Sequence, residues 1–174
     1  MRRIHNQYKM KSIVNKIGFG GGCHWCTEAV FQALKGVLKV EQGWIASEGK
    51  NERFSEAVIV HFNADVSLET LIDVHLRTHK STSNHSMRKK YRSAVYTFTE
   101  KQFTKSTLII ADFQNEFEAE IITKVYPFKA FKPSPSQFQN YYLQNPSKPF
   151  CKKYIVPKLN LIKTNFEHSF SSIS

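Results

Sequence analysis

The stretch GFGGGCHWCTEAVFQAL, Gly18 to Leu34, constrains this chain more than any other. The strand-like run Ile13–Phe19 leads into Gly20, Gly21 and Gly22, and helical spacing of Ala29, Val30, Phe31 and Leu34 follows at once. A strand–glycine–helix junction places its turn residue at a helix N-terminus, where unpaired N–H groups favour an anion. Cys23 occupies that position and Cys26 lies one turn on. A thiol there is expected to ionise more readily than an ordinary cysteine, and the glycines leave room beside the sulfur.

The C-x-x-C pair is open to three readings. It is a redox couple, half of a zinc site, or two small apolar residues packed at a helix start. Zinc would need two further ligands from Cys151, His79 or His85, none of which forms a second close pair. Three cysteines are too few for a disulfide framework, and in an intracellular chain a C-x-x-C after a strand favours redox chemistry.

The rest of the chain alternates strands and helices. Strands are expected at 37–45, 55–63, 91–98 and 121–126. Helices are expected at 24–35, stopped by Gly36, at 67–79 behind Ser67, and from Thr99 towards Glu120. After a short helix-like piece, FQNYYLQN, an extended proline-punctuated tail is expected. The pattern implies an α+β fold: a two-layer sandwich of a mixed sheet with helices packed on it, a ferredoxin-like core and an extended C-terminal tail. Residues 1–12 read as a flexible basic leader, with Met10 a second candidate start. Residues 13–160 form one domain, and 161–174 a C-terminal extension without an interpretable motif.

Composition narrows the function. The 174 residues carry a formal net charge of +11, which invites a nucleic-acid partner. The basic residues are scattered, however, and accompany no recognition helix or zinc-finger spacing, so a lysine-rich solvated surface is the better reading. No apolar run approaches a membrane span, and the basic start lacks a secretory apolar region. A cytoplasmic monomer with no membrane or nucleic-acid partner is expected.

Glu56 is the other informative residue. Alternation along 55–62 puts it on the same face as Val58, Val60 and Phe62. Burial there disfavours the bare carboxylate unless a cation pairs with it, and a neutral carboxylic acid is what general-acid chemistry needs. A strand-end residue reaching solvent is the equally weighted alternative. Trp25, Tyr91, His79 and His85 carry no claim unaided, and Glu28 reads as favourable helix-dipole chemistry.

Together these segments resemble the peptide methionine sulfoxide reductase A family. GGCHWCTEAVF is similar to its G-C-F-W-G-x-E signature, and SEAVIVHFN to its H-A-E-A-V strand. THKST resembles its H-D-P-T, and YRSAVY its Q-Y-R-S-A-I-Y. FQNYYLQNPSKPFC and IVPKL are similar to its C-terminal blocks, all in the family's order over about 16–159. The resemblance implies an enzyme that reduces methionine S-sulfoxide, free or in proteins, with no bound cofactor or metal. Cys23 would be the nucleophile, Glu56 the general acid and Tyr91 a hydrogen-bond donor to the oxygen. Trp25, with His24, would line the methyl pocket. Cys26 or Cys151 would resolve the sulfenic acid, and thioredoxin or a similar dithiol would reduce the resulting disulfide.

This chain departs from the family pattern at several points. His24 replaces phenylalanine, and Cys26 replaces glycine. The chain is shorter between Trp44 and Glu56, where the glutamate's partner tyrosine has no clear match. SMRKK replaces G-N-D-x-G-T-Q, with Ser86 at the aspartate position. These departures motivate an alternative, a non-catalytic sulfoxide-binding or redox-sensing member. A zinc-bound structural or nucleic-acid-binding module is a third reading.

Overall fold

The computed structural model describes residues 13–171; the leader expected over 1–12 and residues 172–174 lie outside them. Strand β1 (Asn15–Gly20) runs up the middle of a six-stranded sheet. It pairs antiparallel with β3 (Ser55–Phe62) on one side and β4 (Ala94–Thr97) on the other. Strand β2 (Val37–Ala46) pairs antiparallel with β3 and with β6 (Ala130–Pro133), while β5 (Lys124–Pro127) lies parallel to β4. The order is β5-β4-β1-β3-β2-β6, a mixed sheet carrying helices, so the chain has the expected α+β character.

β3 is buried on both faces, which is why its sequence is almost continuously apolar. Val58, Val60 and Phe62, with Ile17 and Phe19 of β1, face helices α1 (His24–Gln32), α2 (Leu68–Thr78) and α3 (Glu100–Phe113). Ala57 and Ile59 face the other way, into a cluster with Ile45, Tyr96, Phe128 and Phe131. Phe19 stacks on Phe31 of α1 with ring centroids 4.5 Å apart. Burying such a ring stabilises the fold by about 2–3 kcal/mol and ties α1 to the strand that precedes the glycine turn.

Local chemistry sets the element ends. Ser67 caps α2, its hydroxyl accepting from the Thr70 N–H at 3.0 Å. Gly36, at φ +85°, makes the turn from α1 into β2, where a Cβ would meet the Val66 backbone nitrogen at 2.8 Å. Helix α3 stops at Phe113, short of the expected Glu120, and Gln114 accounts for the break. Its side chain accepts from the Ile121 N–H and donates to the Ala119 carbonyl, satisfying groups in the loop that follows.

The tail expected to be extended is largely helical. Short α4 (Tyr141–Gln144) is followed by a π-helical turn, Cys151–Ile155, and α5 (Val156–Asn165). Pro157 does not end this run; it sits in the first turn of α5, directly after the π-helical turn. Cys151, Ile155, Lys158 and Ile162 recur at helical spacing, and Ile155 and Ile162 are fully buried. Beyond α5 the chain folds back on the end of α1: Ser169 O accepts from the Lys35 N–H at 2.8 Å, and the Ser171 N–H donates to Ala33 O at 2.7 Å.

Candidate active site

Cys23 is the N-cap of α1, with extended ψ and no side-chain capping bond, so its sulfur is free for other partners. Gly21, at φ +153°, packs its backbone against the His79 ring, where an added Cβ would lie 2.5 Å from Cδ2. His79 itself is held by two bonds. Its Nδ1–H donates to His75 O at 2.5 Å, and its Nε2 then accepts from the Ser93 hydroxyl at 2.7 Å. Burial pushes this imidazole down to about 3, so it stays neutral and structural. Arg88 clamps the same turn, donating to Gly21 O (2.9 Å), Tyr91 O (3.0 Å) and Ser83 O (2.8 Å), and also to Lys80 O.

That clamp is the structural content of SMRKK, which sequence reading treats only as a departure. Removing it in Arg88→Ala should lower stability by about 2–3 kcal/mol, since the guanidinium is half-buried and its bonds do not sum fully. Thermal melting checks the loss. Amide exchange should accelerate at Gly21, Gly22 and Tyr91 and leave β3 nearly unchanged.

The three cysteines converge. Cys26 and fully buried Cys151 share one apolar cluster with Tyr141 and Ile155, and Cys23 and Trp25 pack against it. The Cys26 thiol donates to Cys23, which lowers the Cys23 pKa and raises that of Cys26. The N–H groups of Trp25 and Cys26 add to the lowering at Cys23, while burial and the charge of Glu56 oppose it. Burial also pushes the Cys151 thiol up. The set therefore contains one thiol poised to ionise and two held protonated.

Lys158 was not legible as part of this site. It lines a groove of about 380 Å³ together with Cys23, Cys26, His79, Tyr91 and Phe150. Burial lowers its pKa, and the two nearby cysteines favour its charged form. The usable signal is its place on the helical stripe with Cys151. A larger cleft of about 620 Å³, lined by Gln32, Val40, Ser134 and Gln139, contains no thiol.

Glu56 and His24 form a buried pair close to Cys23. His24 Nε2 lies 3.3 Å from Glu56 Oε1, both side chains under a tenth exposed. Lys90 Nζ approaches Glu56 Oε2 at 3.7 Å from the surface. Trp44, opposite Glu56 in the β2–β3 register, sets its ring edge-on to His24 at 5.1 Å. Trp44 is thus beside the carboxylate that lacks its expected tyrosine.

Trp25 lies flat on Tyr141, centroids 4.0 Å apart, with Phe150 edge-on at 5.5 Å. Tyr141 is presented by Glu28, which is fully buried rather than a surface dipole partner. The Glu28 carboxylate accepts from the N–H groups of Asn140 and Tyr141 and from Gln42 Nε2, each at 3.0 Å. Burial raises its pKa and these three donors oppose the rise. Glu28 thereby fastens the C-terminal segment over the cysteine helix. Among the described residues no cluster of three or more His, Cys, Asp or Glu could hold a metal ion, and no helix is long and apolar enough to cross a membrane.

Comparison with known proteins agrees with this arrangement. The peptide methionine sulfoxide reductase family model matches residues 15–170. The peptide methionine sulfoxide reductase MsrA of Pasteurella multocida is 35% identical over 164 residues, covering 86% of this chain and 94% of its own. Among solved structures, reduced Mxr1 of Saccharomyces cerevisiae superposes with a TM-score of 0.70 at 22% identity, over 81% of this chain and 91% of that one. Mxr1 in complex with Trx2 gives 0.58 at 21% identity, over 77% and 91%. With the family's match running through both the cysteine helix and the C-terminal helix that closes over it, this chain belongs to the peptide methionine sulfoxide reductase A family.

Proposed function

We propose that this chain reduces methionine S-sulfoxide to methionine with Cys23 as nucleophile, Glu56 as general acid and Tyr91 as a hydrogen-bond donor to the sulfoxide oxygen. The observation that carries it is Cys23 at the helix N-terminus, its sulfur accepting the Cys26 thiol proton, with the buried Glu56–His24 pair beside it. The Cys23 thiolate attacks the sulfoxide sulfur while a proton reaches the oxygen. Methionine leaves, and Cys23 retains the oxygen as a sulfenic acid. Trp25 and His24 border the methyl site; because Tyr141 covers one face of Trp25, the methyl group meets its edge or the opposite face.

Cys26 resolves the sulfenic acid first, forming the Cys23–Cys26 disulfide with loss of water. Its proximity to the Cys23 sulfur supports this order, as does the full burial of Cys151. Cys151 adjoins the pair and relays the disulfide outward when its segment moves. Peptide mapping of protein oxidised by one equivalent of sulfoxide should recover the Cys23–Cys26 bridge, and Cys151→Ser should leave that bridge intact. Recovery of Cys23–Cys151 alone would reverse the order.

The electron donor is a thioredoxin-like dithiol, an inference supported by the Trx2 complex of Mxr1. The reductase unit is a monomeric cytoplasmic domain over 13–160, and the packing of 161–171 on α1 supports counting those residues with it. The β1-α1-β2-β3-α2-β4 sequence, with order β4-β1-β3-β2, supports a ferredoxin-like core. The test is reduction of separate S and R epimers with dithiothreitol. Consumption of the S epimer alone is expected, and binding without turnover would favour a sulfoxide-binding role instead.

A further inference from the structure

Two buried acceptors lie close together beside Cys23. His24 Nδ1 lies 2.7 Å from Gly43 O, and a carbonyl only accepts, so Nδ1 carries a hydrogen. In a neutral ring Nε2 is then a bare lone pair. Nε2 lies 3.3 Å from Glu56 Oε1, and both side chains are withdrawn from water. A lone pair and a carboxylate oxygen do not approach so closely in a buried site without a proton between them. The surroundings hold the geometry, because Trp44 packs edge-on to the imidazole and β2–β3 pairing fixes Trp44 opposite Glu56.

We propose that His24 is a positioning residue for acid catalysis, sharing one proton with Glu56 that is delivered to the sulfoxide oxygen as Cys23 attacks. This rests on the reductase reading above and extends it. The Cys23 thiolate, the sulfoxide and the dyad proton give Cys23 sulfenic acid and methionine. The sulfoxide sulfur gains two electrons, Cys23 loses two, and the S–O bond passes from one sulfur to the other. Glu56 is left as carboxylate beside neutral His24. Condensation with the Cys26 thiol releases water and consumes no further proton. When the external dithiol reduces the bridge, Cys23 is regenerated as a thiol, and its proton passes to the dyad, restoring both thiolate and acid. Burial pushes the imidazole below the usual histidine range, against the Gly43 bond and the Glu56 charge, which keeps the pair to a single proton.

The charged and titratable groups around the dyad are few. Lys90 reaches Glu56 Oε2 and lies over the Tyr91 ring, Cys23 contributes its thiolate, and Lys132 stands over Trp44. None of these lies between Nε2 and Oε1, so His24 can be tested separately.

The experiment is single-turnover methionine formation by reduced full-length protein, without added reductant, from about pH 5.5 to 9, for wild type, His24→Phe and His24→Gln. His24→Phe should be slower by roughly 100-fold at neutral pH, with the deficit shrinking as the pH is lowered. His24→Gln, which can bond Glu56 but not hold a proton, should behave like His24→Phe. Imidazole nitrogen NMR of wild type supplies a readout independent of turnover. Nδ1 should be protonated, and the Nε2 resonance should move in Glu56→Gln. Wild type that turns over with a pH profile unchanged in His24→Phe overturns the dyad, as does a spectrum with Nδ1 bare. Wild type that fails to reduce the S epimer overturns the reductase reading itself, whatever the spectrum shows.

Discussion

Cys23→Ser is expected to abolish methionine sulfoxide reduction, with a loss on the order of 10⁴-fold or more. A serine hydroxyl at this position does not ionise near neutral pH, and the helix N-terminus that stabilises a thiolate gives an alkoxide far too little help. Folding should be untouched. Cys23 makes no capping bond, whereas serine is a favoured N-cap residue, so α1 should form at least as well in the variant. Neither remaining thiol can substitute, because Cys26 and Cys151 are both buried and both held above the usual thiol range. Chromatography of the S epimer beside a thermal melt checks both halves. Activity lost with the melt unchanged assigns the loss to chemistry, and turnover retained by the serine variant would remove Cys23 from the mechanism.

The parts of this site that sequence exposed are those set by local periodicity. The glycine run between strand and helix determines where Cys23 sits, and no distant residue is needed to see it. The two-residue period of β3 likewise sends Glu56 to the α1 side, with Val58 and Val60, because burial on both faces leaves the alternation intact. Residues recruited by long-range packing were not legible. Trp44 meets Glu56 only through the register of β2 on β3, and a register cannot be read from either strand alone. Glu28 has the sequence setting of a first-turn dipole partner, yet it binds backbone N–H groups more than a hundred positions away. Arg88 donates to carbonyls, which have no side-chain signature at all. The tail misled for a different reason: Pro157 breaks a helix interior but suits a first turn, and only the packing of Ile155 and Ile162 distinguishes the two.

Glu56→Gln sets the second expectation, a fall in the rate of sulfoxide reduction of about 10²- to 10³-fold. The amide is nearly the shape of the acid and can still meet His24, so β3 and α1 should keep their packing; what it cannot do is release a proton. The same change should make Cys23 more reactive. Negative charge on Glu56 raises the Cys23 pKa and a neutral amide removes it, so the thiolate fraction at a given pH increases. Iodoacetamide should therefore alkylate the variant faster than wild type at mildly acid pH, with the two converging once Cys23 is fully ionised. On the proposed mechanism, alkylation and sulfoxide reduction both begin with the Cys23 thiolate, but only the second needs a proton delivered to oxygen. Rates that move in opposite directions locate the defect at proton delivery, while a parallel fall in both would mean that Glu56 serves only to hold the cysteine loop in place.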